Sequence, residues 1–255
     1  MNSKLPRMKP NNKRRVLAID VGGSHVKMRV SNRREERQFE SGPHLTARRM
    51  VAEVHKMTGD WTYDAVSIGY PGIVIHGKIV TEPHNLGGGW VGFDFPAAFG
   101  RPTRVINDAA MQAIGSYQGG RMLFLGFGTG LGSAMIVDGV VESMELAHMN
   151  YKRGKTYEEY AGERGRRRLG PKKWRRAVKD IVEKLRAAME ADYVILGGGN
   201  ARRLKKLPKG ARPGNNEFAF IGGFRLWQAA PGGAAHSGSP EVVRPSRGAR
   251  IRAVG

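Results

Sequence analysis

One pattern occurs twice in this chain and limits what it can fold into. An apolar run at Val16–Val21 stops at Gly22-Gly23, and a second run, His25–Val30, follows at once. Met122–Phe127 is likewise followed by Gly128–Gly132 and then by Ser133–Val137. Short apolar runs broken by clustered glycines read as strands joined by tight turns, because glycine reaches backbone angles closed to other residues. The repeat implies two related lobes, each opening on a hairpin with a glycine-rich turn. At 255 residues, 40% of them hydrophobic, the chain can supply a core for both.

The rest of the pattern fills in around those hairpins. Glu36–Glu40 reads as a further strand, and apolar spacing from Leu45 to Met57 predicts a helix with Thr46 near its start. Ala65–Gly69 is a buried-type strand stopped by Pro71-Gly72, and Ile73–Val80 reads as a hairpin turning at His76-Gly77. The loop Thr81–Gly92 leads to a strand at Thr103–Ile106, after which Asn107-Asp108 opens a helix reaching about Tyr117. Asp138-Gly139 is a hairpin turn. Trp174–Met189 is amphipathic at helical spacing, Tyr193–Leu196 is a strand, Gly197-Gly198-Gly199 precedes a helix start, and Phe218–Gln228 is the last helix. The division expected is a flexible basic leader (1–15), an N-terminal lobe (16–118), a C-terminal lobe (119–228) and a tail (229–255) too poor in large apolar residues to order itself.

The formal charge is +21, a field that attracts polyanions such as nucleic acid, an anionic membrane surface or polyphosphate, or else marks a basic solvated surface. Four tail arginines against Glu241 account for only +3 of it. Two stretches stand out in the body: Arg164–Arg176, without an acid, and the run from Arg202 to Arg212. With no cysteine there are no disulfides and no thiolate metal sites, which fits a reducing cytoplasm. No apolar run approaches the roughly 18 residues of a membrane span, and Met1–Arg15 lacks the apolar core of a signal peptide.

Several motifs could carry chemistry, each with a plainer reading beside it. In Asp20-Val21-Gly22-Gly23-Ser24-His25-Val26-Lys27 the turn can aim backbone amides at an anion while Asp20 holds Mg²⁺ directly or through water, or it is a simple hairpin. Gly128-Thr129-Gly130, within the run Gly126–Ser133, is a second phosphate cradle or a bulged strand pair. Gly197-Gly198-Gly199 is an anion site at a helix start or an ordinary turn. Asp108 is a base at a strand end, or else Asp108 or Asn107 is a helix cap. Glu145 and His148, three apart, could grip vicinal hydroxyls or be a solvated pair.

Taken in order, the motifs Asp20-x-Gly22-Gly23-Ser24-x-x-Lys27, Gly69-Tyr70-Pro71-Gly72, Asn85-Leu86 with Trp90, Asn107-Asp108, Gly128-Thr129-Gly130-Leu131-Gly132 and Glu145-x-x-His148 resemble the ROK family of sugar kinases and related repressors. Pro83-His84-Asn85, Trp90-Val91-Gly92-Phe93 and Glu145-Leu146-Ala147-His148 are similar to its polyphosphate glucokinase branch. The resemblance spans roughly residues 16–228. It implies an α/β, actin-like (ribonuclease H-like) fold of two lobes with mixed sheets, and phosphoryl transfer from polyphosphate and/or ATP to the 6-hydroxyl of glucose. By position it implies Asp108 as catalytic base and Asn85, Asn107, Glu145 and His148 as sugar ligands. Asp20, Gly22, Gly23, Ser24 and Lys27 would hold donor phosphates and Mg²⁺, Gly128, Thr129 and Gly130 a second phosphate contact, and Gly197, Gly198 and Gly199 the nucleoside side of a nucleotide donor. No structural zinc is expected, and with only 15 residues before the first strand no helix-turn-helix is expected either. A homodimer is a family habit. Ala147 stands where the family has Gly, and the family's further sugar-contacting Glu could be Glu158, Glu159 or Glu163. The rival readings are a kinase for mannose or an N-acetylated amino sugar, and a non-catalytic sugar-responsive or nucleic-acid-binding protein.

Overall fold

The computed structural model describes residues 14–228, so the leader through residue 13 and the tail from residue 229 lie outside the described residues. Arg15, at the end of that leader, is held by Asp64 through its backbone N–H (2.8 Å) and its guanidinium (3.0 and 3.2 Å).

The first half of the chain runs β1 (Val16–Val21), β2 (His25–Val30), β3 (Arg37–Glu40), α1 (Ala47–Met57), β4 (Ala65–Tyr70), β5 (Val74–Ile75), β6 (Lys78–Ile79), α2 (Phe95–Phe99), β7 (Thr103–Asn107) and α3 (Asp108–Ser116). The second half runs β8 (Arg121–Phe127), β9 (Leu131–Val137), β10 (Val140–Met144), β11 (Asn150–Lys152), β12 (Lys155–Thr156), α4 (Tyr157–Ala161), α5 (Glu163–Ala188), β13 (Tyr193–Gly197), β14 (Ala211–Pro213) and α6 (Glu217–Arg225).

Two five-stranded mixed sheets result, ordered β3-β2-β1-β4-β7 and β10-β9-β8-β13-β14. In each, an antiparallel hairpin is extended on one side by two parallel strands: β1 with β4 and β7, β8 with β13 and β14. The sequence repeat is therefore a repeat of sheet topology. Every position of β4 is buried, as expected of a parallel strand covered on both faces. Helix α1 begins where Thr46 accepts a hydrogen bond from the Arg49 N–H (3.2 Å), and it buries Met50, Val51 and Val54.

Helix α3 lies between the sheets. Its Met111 packs under Gly69 of β4, and its Ala109 sits against Gly132 of β9, where an added Cβ would come to 2.9 Å. Helix α6 returns to the first sheet. A Cβ on Gly223 would press on Ala18 and Ser67, and the Ser67 hydroxyl donates to the Gly223 carbonyl (2.6 Å). Helices α3 and α6 cross backbone to backbone: a side chain on Gly115 would collide with the Phe218 carbonyl, and one on Gly222 with that of Met111. Arg225 donates to the Ile114 carbonyl at the end of α3 (2.7 Å).

Two expectations need correction. No α-helix follows Gly197–Gly199; the chain makes a single 3₁₀ turn, Ala201–Arg203, because it must turn back to pair β14 alongside β13. No helix N-terminus therefore faces an anion there. Helix α5 starts at Glu163, well before Trp174; the pattern is interrupted at Gly170 (φ 72°) and Pro171, where two helical pieces meet at a kink.

Candidate active site

The carboxyl ends of β1, β4 and β7 are aligned by their register: Asp20 faces Gly69, Gly69 faces Ile106, and Tyr70 faces Asn107. Crevices outside the carboxyl ends of parallel strands are where ligands bind in open α/β sheets. Gly69 has no side chain, which lets α3 approach the sheet closely at this point. A Cβ there would run into the Met111 methyl and lie 3.4 Å from the Asp108 Cα.

The cap of α3 is Asn107. Its buried side chain accepts from the Ala110 N–H (3.1 Å) and donates to the Gly72 carbonyl (3.1 Å). Asn107 is thus engaged at both ends, and only its remaining lone pair and N–H are open to a sugar. Asp108 is relieved of capping. One carboxylate oxygen accepts from the Ala109 N–H (2.8 Å), the Asp108 N–H adds a second backbone bond to the carboxyl, and no side chain among the described residues donates to it.

Burial pushes the Asp108 carboxyl up to about 7, with the negative charges of Asp20 and Glu145 adding to the effect and the Ala109 bond opposing it. Asp20 is raised to about 6, again mainly by burial; Lys27 pulls it down and Glu36 pushes it up. Lys27 stands beside Asp20 in the β1–β2 register and pairs with Glu36 (3.5 Å). Both residues keep partial exposure while protein atoms crowd their carboxyl groups. In the turn, the Gly22 N–H bonds the His25 carbonyl (3.0 Å), and Gly23 and Ser24 are exposed, with amides that find no partner among the described residues.

The glycine-rich segments of the second sheet are neighbours, since Gly126 pairs with Gly197. Gly198 takes a left-handed φ of 80°, and a Cβ on it would strike the Phe127 backbone. The carbonyls of the Gly128–Gly130 loop are tied back: Gly128 to the Asn200 amide (3.0 Å), Thr129 to the Glu163 N–H (3.1 Å), Gly130 to the Gly128 N–H (3.1 Å). That leaves the Thr129 and Gly130 amides without partners among the described residues. Backbone amides left free in a tight turn suit an anion.

Glu145 and His148 bracket a 3₁₀ turn and lie 3.8 Å apart. Burial raises the Glu145 carboxyl, Glu158 adds to this, and His148 and His84 oppose it, so His84 and Glu158 border the same spot. Ser133 holds the corner by donating to the Met144 carbonyl (2.8 Å) and accepting from the Leu146 N–H (3.2 Å). Ala147 is buried in the second core. Asn85 is exposed on a loop fixed at both ends. Glu82 accepts from the Trp90 and Val91 amides (3.1 Å each), the buried Trp90 indole donates to the Gly87 carbonyl (2.7 Å), and the Tyr70 hydroxyl donates to the Thr81 carbonyl (2.8 Å).

The three candidate glutamates separate. Glu159 forms the capping box of α4 with Thr156 and pairs with Lys155. Glu163 is bound by Arg166, Arg167 and Asn200, which hold its carboxyl far below the usual range. Glu158 has one bond, from the Leu131 N–H (3.1 Å), and faces Glu145. The supporting roles of Glu82, Ser133 and Asn200 have no signature in the sequence, because each depends on a partner from another element. Among the described residues no group of three or more His, Asp or Glu converges as a metal cage. A surface hollow beside α1, lined by Arg48, His55, Phe93 and Asp94, gathers none of these groups.

A family model described as the ROK family matches residues 16–143, half of the chain. A polyphosphate glucokinase of Mycobacterium tuberculosis is 27% identical over 212 residues, covering 74% of this chain and 78% of that protein. Among solved structures, an inorganic polyphosphate/ATP-glucomannokinase from Arthrobacter sp. strain KM superposes with a TM-score of 0.72 at 23% identity, covering 83% of this chain and 97% of that one. A ROK family glucokinase from Streptomyces griseus, solved with glucose and AMPPNP, gives 0.63 at 16% identity, over 83% and 98%. At these identities the two structures speak for the fold, which is the actin-like, two-lobed arrangement with mixed sheets. No helix of the described residues is long and apolar enough to cross a membrane.

Proposed function

This chain belongs to the ROK family, and from that premise we propose that it passes the terminal phosphoryl group of polyphosphate and/or ATP to the 6-hydroxyl of glucose, with Asp108 as the general base. It is a phosphotransferase with an alcohol acceptor. The observation that carries the finer reading is the division of labour at α3. Asn107 caps the helix, so Asp108 is bound only by nearby backbone N–H groups and by no side chain among the described residues, and that carboxyl has its pKa near neutrality, where a base is most useful.

In the proposed reaction Asn85, Glu145, His148 and Glu158 hold the sugar hydroxyls, with a smaller part for Asn107. Asp108 takes the proton of the 6-hydroxyl as that oxygen attacks the terminal phosphorus. The bridging P–O bond breaks and the shortened donor leaves with the electron pair. The amides of Gly23 and Ser24, together with Lys27, meet the donor phosphates on one side, and those of Thr129 and Gly130 on the other, with Gly198 and Gly199 beyond them. Positioning and charge stabilisation are the main contributions of the protein in such a transfer.

Asp20 suits a divalent cation, because a carboxylate raised to about 6 by desolvation gains from a positive partner. When bound there, Mg²⁺ would neutralise phosphate charge; Asp20 would hold it, and donor oxygens and water would complete its shell. We place the protein in the cytoplasm.

The test is an activity matrix of polyphosphate and ATP against glucose, mannose and N-acetylated amino sugars, run for the parent and for Asp108→Asn. Transfer to glucose by the parent and its loss in the variant is the expected result. Undiminished turnover in the variant removes Asp108 as base, and a preference for another hexose reassigns the acceptor.

A further inference from the structure

We infer that the donor is bound as an extended chain whose phosphates, beyond the one transferred, lie along a cationic rim made by Arg164 and Arg167 of α5 and Arg202 and Arg203 of the turn after β13. The inference deepens the donor reading above and rests on it.

The rim is assembled at one node. The Asn200 side chain donates to the Gly128 carbonyl (3.0 Å) and to Glu163 (3.1 Å), and it accepts from the Arg203 guanidinium (3.2 Å). Glu163 also accepts from Arg166 (2.6 and 2.7 Å) and from Arg167 (2.9 Å). One carboxylate and one amide thus fasten three arginines around the Gly128–Gly130 loop. Glu163 stays ionised because those partners keep it far below the usual carboxylate range. The node is left with an excess of positive charge. Arg164 and Arg202 flank it, exposed and without an ion pair among the described residues.

A chain leaving the free amides of Thr129 and Gly130 therefore meets arginines on both sides of its path. The basic run continues through Lys205 and Lys206, which are exposed. The side chains that the turn after β13 leaves exposed are cationic: Arg202, Arg203, Lys205 and Lys206. A base gains from stacking on an aromatic or apolar face, whereas a phosphate chain gains from spaced cations.

The experiment measures transfer to glucose from tripolyphosphate and from long-chain polyphosphate across a salt series. It compares the parent with Arg164→Gln/Arg202→Gln, two residues whose side chains make no bond among the described residues, and with Arg48→Gln/Arg49→Gln, an equal charge loss on the exposed face of α1. With four phosphates engaged, the slope of log affinity against log salt for the long chain is expected near about −3, falling to about −1.4 in the rim variant. The advantage of the long chain over tripolyphosphate should drop about tenfold, as expected for two exposed ion pairs, and the α1 variant should keep both quantities. A parent without chain-length dependence overturns the rim, as does a rim variant that weakens both donors by the same factor; either leaves the kinase reading standing. If the parent transfers phosphate from no donor, the kinase reading fails instead. The rim is then decided by calorimetric binding of long-chain polyphosphate: weaker binding by the rim variant supports it, and equal binding overturns it. Displacement of bound polyphosphate by single-stranded RNA of equal charge, as readily as by polyphosphate itself, also overturns it.

Discussion

Replacing Asp108 by Asn should abolish catalysis and stabilise the protein at the same time. Folding carries the Asp108 carboxyl from 3.8 to about 7. A raised carboxyl favours the protonated form in the folded state, so its ionised form works against folding. The penalty is full above pH 7, shrinks as the pH falls, is small near pH 4, and is gone well below 3.8, where folded and unfolded chains are both protonated. A shift of about three units caps it at about 4 kcal/mol. Counterions drawn to the Asp20–Asp108 pair reduce this, and we expect about 2 kcal/mol, which is roughly 4–8 °C in Tm for a chain of this length. Asn has nearly the same shape and no charge, so at pH 8 the variant should melt higher by that amount, with the gain fading towards pH 4. Loss of the base should lower kcat by about 10²–10⁴ with little change in sugar binding. Differential scanning calorimetry at pH 8 and pH 4.5, with initial rates at saturating glucose, measures both. A variant as active as the parent, or no more stable than it at pH 8, refutes the account of a desolvated base.

Asp20→Asn removes the second contribution to the Asp108 shift, so the Asp108 pKa, followed by carboxyl NMR, should move below 7; an unchanged value would mean that the two acids do not sense each other. Glu158→Gln should raise the sugar KM about tenfold through loss of a charge-assisted hydrogen bond. Glu159→Ala should leave that KM alone and lower stability by about 1 kcal/mol through loss of the α4 capping box; the reverse pattern would exchange their roles. Gly222→Ala forces a methyl into the Met111 carbonyl at the α3–α6 crossing and should cost about 1–3 kcal/mol in urea unfolding. A neutral result there would mean that the two helices are free to separate.

Much of this protein is local and can be read along the chain. Both strand–glycine–strand units, the Thr46 start of α1 and the β5–β6 hairpin at His76-Gly77 follow from residue periodicity and turn chemistry, which act over a few neighbours. The order of the motifs was equally legible, and with it the family and its fold. What stayed hidden depended on contacts between distant segments. From sequence Asn107 and Asp108 compete for one cap; the structure gives it to Asn107, which the distant Gly72 carbonyl also holds, and sets Asp108 near Asp20 and Glu145. Glu158, Glu159 and Glu163 are alike in the sequence; they part because a helix start, a pair of arginines and a glycine-rich loop each claim a different one. Strand register sets Gly69 beside Asp20, where its missing side chain lets Met111 and the Asp108 backbone approach, and α3 is held in place by Gly115 meeting α6 more than a hundred residues later. Local propensity determined the parts, and long-range packing decided which carboxylates were left free to do chemistry.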